Sequence, residues 1–285
     1  MAATATHTPV IPLTIKARAR PSHALFTLAR RRAALTAGNP RQIAVPLIGP
    51  IMLALVVAPA LKAATGGLHS AIDYQSFVGV GTVGLVIPLS CIFAGLSVIV
   101  DRQAGAQREL LAAPVPRRYL VLGNLVVALA LSMLQALVLV GFAAARGGQF
   151  HITASGVALA LAAGVLFTVF MYGVAETLAS RIGKAEEYIG ATPAVAILPF
   201  FFAGALYPIS AMPAALTALA KFLPLTHALA LARYGLVDPS GRGLHEIWGA
   251  GSVASEAWLS LAVVASFALA LTLVSIRAFT RSAVK

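Results

Sequence analysis

The chain has 285 residues, 59% of them hydrophobic and only 11% charged, with a mean hydropathy of +0.89; soluble domains run at roughly 45–50% apolar and about 25% charged, so water is not its main solvent. Its net charge of +12 would point to nucleic acid in a soluble domain, but the basic residues cluster between apolar runs instead of on one folded surface, which excludes that partner. A single cysteine, Cys91, lies within an apolar run, so no disulfide or cysteine metal cluster forms inside one copy.

The first twenty residues lack an apolar core behind a basic start, because Lys16, Arg18 and Arg20 follow the mildly apolar stretch at 10–15; no cleaved signal peptide is expected. Ser22 is placed to cap a helix that Gly38 and Pro40 end, with Leu25, Phe26, Leu28 and Leu35 set against Arg30, Arg31 and Arg32. It reads as an amphipathic interface helix on the inner leaflet, gaining about 1 kcal/mol per basic residue near anionic lipid. Residues 1–42 then form a cytoplasmic N-terminal segment, and 43–285 a transmembrane domain.

A bilayer core of about 30 Å takes roughly 20 residues at 1.5 Å rise. Five clear runs satisfy that ruler, near 43–61, 76–100, 119–145, 153–179 and 257–276. A sixth, interrupted run goes from Ile189 through Pro199, Phe200, Phe201 and Phe202 to Leu206. The expected fold is all-α, with six transmembrane helices. Prolines at 46, 50, 88, 193 and 199 are read as kinks, because packed neighbours can satisfy the freed carbonyls. Gly79, Gly81 and Gly84 match a dinucleotide fingerprint in spacing but sit inside an apolar run with no strand before them, so they are read as close helix contacts.

Between the second and third runs, residues 101–118 read DRQAGAQRELLAAPVPRR: Asp101 as a cap, a helix of about 12 residues bearing Leu110 and Leu111, and a stop at Pro114 and Pro116. Such a helix is too short to cross and suits docking into a partner's groove. Glu176, close to Arg181, is read as an interfacial carboxylate, paired or hydrated. Residues 207–236 are divided by Pro213 and Pro224 into pieces of roughly 15 Å, each too short to span, and read as a re-entrant or interfacial hairpin. His245-Glu246 lacks the second histidine of a helical zinc site, no catalytic constellation can be placed at one depth, and no phosphate-binding G-x-x-x-x-G-K-[ST] occurs. No catalytic residue, metal or cofactor is expected on this chain.

Six crossings with both termini cytoplasmic put sixteen of the 21 Lys and Arg inside and leave Lys62, Arg146, Lys221, Arg233 and Arg242 outside, as the positive-inside rule favours.

In this order and spacing the two loop segments resemble the permease subunits of type-2 ABC exporters, especially the daunorubicin-resistance and nodulation or polysaccharide export permeases. Asp101, Arg102, Gly105, Glu109, Leu111, Pro114 and Arg117 fit that family's inner-loop pattern. Phe201, Gly204, Tyr207, Pro208, Met212 and Pro213, then Pro224, Leu225, Thr226, His227 and Arg233, fit its outer stretch. The resemblance implies that 101–112 is a coupling helix, with Arg108 and Leu110 among its contacts, and that the outer hairpin forms an extracellular gate including Phe202. It also implies a second permease subunit, as a homodimer, two copies of a cytoplasmic ABC ATPase carrying ATP and Mg, contact with membrane lipid, and a bacterial plasma-membrane location. The cargo stays open between an amphipathic drug, a lipid and a lipid-linked glycan. The alternative is a proton-coupled secondary transporter, which normally carries ionisable residues at mid-membrane.

Overall fold

The computed structural model describes residues 21–64, 73–113, 115–249 and 251–282; residues 1–20 and Pro114, both used in the sequence reading, lie outside them. Every regular element among the described residues is helical. Five helices are long and apolar enough to cross a membrane: Pro40–Ala60, Tyr74–Gln103, Arg118–Ala145, Ala154–Arg181 and Val253–Arg281.

Helix α1 (Pro21–Ala37) begins one residue ahead of Ser22 and ends at Gly38, whose N–H closes on Ala34. After it, α2 (Pro40–Met52) passes through a π turn (Leu53–Val57) into α3 (Ala58–Ala64). The Ala58 N–H donates to the Leu53 carbonyl immediately before Pro59. The interrupted run repeats this device: after α8 (Ala185–Gly190), a π turn (Pro193–Ile197) has the Leu198 N–H on the Pro193 carbonyl just before Pro199, within α9 (Leu198–Phe202). A proline donates nothing, and its ring collides with the carbonyl four residues back. Widening the preceding turn relieves that clash, so both segments bend without ending.

The centre of the bundle is α4 (Tyr74–Gln103), whose most apolar window is 67% buried, against 22–33% in the other four long helices. Its glycines explain why. A Cβ at Gly79 would lie 2.5 Å from the Ala143 Cβ of α6 (Arg118–Ala145), one at Gly81 2.0 Å from the Ala205 carbonyl oxygen, and one at Gly84 2.9 Å from Leu225. Three different neighbours therefore approach this one helix from different sides, as small residues permit in membranes. The α8–α9 segment runs along α4: Tyr188 fills the space over Gly95, and Ala205 lies over Gly81. That interval is a rise of about 21 Å.

Beyond the turn at Gly204 (φ +72°) come a 3-10 turn at Ile209–Ala211 and then α10 (Ala214–Ala220) and α11 (Pro224–Leu236), which meet at 80°. Both ends of 207–236 lie at the same end of the bundle. The Tyr74 hydroxyl, at the start of α4, donates to the Leu206 carbonyl, and the His151 N–H donates to Leu236 at 2.8 Å. The loop carrying His151 is itself tied to α4 by Ser76 Oγ on the Gln149 carbonyl, 2.7 Å. A short α12 (Arg242–Trp248) leads into α13 (Val253–Ser282), which packs along α7 (Ala154–Arg181) with Leu271 against Gly173.

At the start of α7, Gly156 and Gly235 put their backbones in contact; a Cβ on Gly156 would come within 2.0 Å of the Gly235 carbonyl oxygen. Gly156→Ala should therefore lower stability by about 1–3 kcal/mol, read as the unfolding midpoint of detergent-solubilised protein. Gly141→Ala, whose Cβ meets nothing within 4 Å, should leave the midpoint unchanged or raise it.

Candidate functional site

The sequence reading converges on the loop end of the bundle, where α4 ends. The backbone of α4 keeps its helical hydrogen bonds through Ala104 N–H on Val100, and the break comes at Gly105 in the left-handed region (φ +79°). The short helix α5 (Ala106–Ala112) therefore has 7 residues, not about 12. Asp101 and Arg102 belong to the last turn of α4, and Asp101 caps nothing; Gly105 holds the N-cap position.

Freed from capping, Asp101 meets α1. Arg32, only 8% exposed, donates from Nη2 to Asp101 Oδ2 at 2.6 Å, from Nη1 to Ser97 Oγ at 2.8 Å and from Nε to Asn124 Oδ1 at 2.8 Å. Arg31 approaches the same carboxylate at 3.6 Å. One guanidinium thus joins α1, α4 and α6, and a charge-assisted network of this kind fixes geometry as well as contributing energy. Of the other α1 residues, Arg30 is exposed, Leu25 and Leu28 are half-buried, and Leu28 rests on Gly123 of α6. Phe26 and Leu35, expected on the same apolar face, point outward.

The remaining loop residues divide cleanly. Arg102 donates to the carbonyls of Ala179 (3.1 Å) and Ile182 (2.6 Å), closing the end of α7. Arg117 donates to Thr280 near the end of α13, 3.1 Å. Leu110 and Leu111 pack on the core, while Arg108 and Glu109 are exposed. The ends of α4, α7 and α13, the start of α6 and the second half of α1 are tied into one plate, with the Arg108–Glu109 edge of α5 on its surface.

At the opposite end, Arg233 of α11 does the tying. It donates to the carbonyls of Gly204 (2.8 Å), Ala205 (2.7 Å) and Phe77 (3.2 Å), with its guanidinium 3.4 Å from the centre of the Phe77 ring. The expected gate residues surround this clasp. Phe201 is exposed and edge-on to Phe200, Phe202 is half-buried, and the Tyr207 hydroxyl donates to the Phe201 carbonyl at 3.3 Å. Pro208 and Pro213 are exposed; Pro224 is buried at the first turn of α11, where its missing N–H costs nothing. Asp73 caps α4: burial pushes its carboxyl up, but the Ser76 hydroxyl and N–H outweigh this and hold it below the usual carboxylate range. His227 and Trp248 both meet Ser260, at 3.1 and 2.8 Å. Ser260 is fully buried, with Trp248 donating to its oxygen.

Glu176, near the end of α7, is not hydrated. It is fully buried, its Oε2 accepts from the Tyr172 hydroxyl at 2.9 Å, and its Oε1 has no hydrogen-bond partner among the described residues. Proximity to Arg181 suggested an exposed position, but α8 folds back and puts Tyr188, which donates to Ala175, over that face.

Removing Arg32 would take three hydrogen bonds from this network and leave a carboxylate whose side chain is only 18% exposed with Arg31 alone, at 3.6 Å. Arg32→Met should destabilise the protein by about 3 kcal/mol, measured by denaturant titration in mixed micelles. Asp101→Asn in the Arg32→Met background should recover part of the loss; full additivity of the two changes would show that the pair does not act as a unit.

Similarity to known proteins bears on both ends at once. No curated protein matches the chain. The family model of the ABC-2 type transporter matches residues 23–237, from α1 through the Arg32 network and α5 to the end of α11. With that match over most of its length and five helices able to cross a membrane, the chain belongs to the ABC-2 type transporter family, as a transmembrane permease that works with an ABC ATPase subunit.

Proposed function

We propose that the chain is the permease half of an ATP-driven exporter that moves an amphipathic drug, a lipid or a lipid-linked glycan out across the bacterial plasma membrane. Drug efflux, and with it antibiotic resistance, is one form of that activity. The observation that carries this reading is the exposed Arg108–Glu109 edge on a plate uniting α1, α4, α6, α7 and α13. A force applied to α5 by closure of two ATPase subunits is passed to several membrane helices together, because the plate ties them to one another. Only such a lever, contacting the partner differently in its open and closed states, can bias the membrane half. ATP and Mg belong to the partner; this chain is a homodimer partner and a lever, not an ATPase.

Six crossings with both termini cytoplasmic are part of the proposal. They are supported by the course of α8–α9 beside α4 from Gly95 to Gly81, and by the return of 207–236 to the end it left. The 80° bend between α10 and α11 suits a re-entrant hairpin, and the clasp of Arg233 suits a gate that opens by leaving the α9 turn. One observation favours proton-coupled transport as a second reading: the buried Glu176 with its unpartnered oxygen.

In the reconstituted complex, Glu109→Lys should leave insertion and assembly intact and lower transport at least tenfold, because it reverses a charge facing the partner. The isolated chain should hydrolyse no ATP. Transport that needs no ATPase, follows a proton gradient and is lost in Glu176→Gln would replace this reading with the second.

Topology is tested in a Cys91→Ser background with Ala218→Cys, Ser240→Cys and Ser282→Cys introduced singly. An impermeant thiol reagent outside intact cells should label the cysteine at 240, should not label that at 282, and should label that at 218 in part. Labelling at 282 with protection at 240 would make 207–236 a true crossing.

A further inference from the structure

We propose that a cavity walled by α4, α6, α7 and α11 holds one acyl chain of a membrane phospholipid whose phosphate sits at Arg146. The cavity measures about 580 Å³, and no side chain lining it is polar. Small residues make the hollow: Gly84 on α4, Ala136 and Gly141 on α6, Gly164 on α7 and Ala232 on α11. Water needs two to four polar partners to be held, and no side chain of this wall offers one. Its natural filling is hydrocarbon.

Size and depth select the occupant. At roughly 30 Å³ per methylene, about the share of one water in the liquid, the volume has room for a chain of up to about 19 carbons. A helix about 10 Å across would fill it with only about a turn and a half, too little to seat a second copy's helix. Along α6 the lining runs from Met133 to Ala144, a rise of about 16 Å and so close to half of a hydrocarbon core of about 30 Å. The cavity is therefore one leaflet deep. Leu137 and Leu161 on its edges are 69% and 53% exposed, so it opens sideways between two membrane helices, where lipid tails are the solvent.

The hairpin end supplies the other half of a lipid site. Arg146 follows α6 directly, between the lining residues Ala144 and Gly148, is exposed, and makes no ion pair among the described residues. A phosphate there meets a guanidinium it can pair with. The proposal is independent of the direction and cargo of transport, because it concerns binding to the resting permease.

Native mass spectrometry of the permease, extracted from vesicles of equal phosphatidylglycerol and phosphatidylcholine without nucleotide, tests it. Wild type should keep about one phospholipid per chain, enriched in phosphatidylglycerol. Gly141→Leu, whose Cβ enters open space, and Ala136→Leu should each cut retention at least tenfold. Gly49→Leu, equally open but on α2, should retain lipid as wild type does. Arg146→Gln should keep the lipid and lose the enrichment. Retention unchanged by both filling variants, no lipid on folded wild type, or loss of the dimer with lipid unaffected would overturn the acyl site. Equal lipid ratios in wild type and Arg146→Gln would overturn the phosphate position.

Discussion

Hydrocarbon offers no hydrogen bonds, so wherever a chain turns or a helix stops inside a membrane its carbonyls must find donors within the protein. Three arginines supply them. Arg102 takes the end of α7, Arg117 reaches the end of α13, and Arg233 takes three carbonyls at the turn after α9 and the start of α4. A guanidinium suits this work because its donors form a planar fork that serves several oxygens at once. Arg233 thereby holds the turn after α9 to the start of α4, while Arg102 and Arg117 tie the ends of α7 and α13 to α4 and α6.

The middle of the bundle rests on a different economy of space. α4 has no bulky side chain at Gly79, Gly81, Gly84 or Gly95, and each gap is taken by a separate element: α6, the turn after α9, α11 and α8. Close packing of this kind is stiff, because interiors transmit displacement when there are few voids to absorb it. α5 joins α4 through the Gly105 turn, and α4 runs from that loop end to the hairpin end.

The sequence made the long apolar runs, the presence of a short helix after α4, though not its start, the division of 207–236 by prolines and the close-contact glycines of α4 legible, because each depends on local periodicity or on residue size. Its errors came from elements that return from a distance. Asp101 resembled a cap because the sequence shows three residues ahead of it, whereas its partner Arg32 lies 69 residues away. Arg32 resembled a headgroup-facing charge because Ser97 and Asn124 are scattered polar residues in apolar runs; only the packing of three helices puts them around one guanidinium. Glu176 looked open to water because nothing local announces that α8 folds back over it. Polar residues inside apolar runs were the available signal, and they call for partners even when the partners cannot be named.

The Arg32 network also imposes an order on biosynthesis. Ribosomes deliver the N-terminus first, so Arg32 reaches the membrane surface before any of the residues it binds, which follow it by 65, 69 and 92 positions. Until α6 is in place, α1 can only wait at the interface, where its charge is hydrated and its exposed Phe26 and Leu35 find lipid. Docking of α1 then reports that two crossings beyond it have been laid down in register. A chain that stalls before Asn124 keeps α1 short of one of the three partners of Arg32, with its basic face left on the membrane surface.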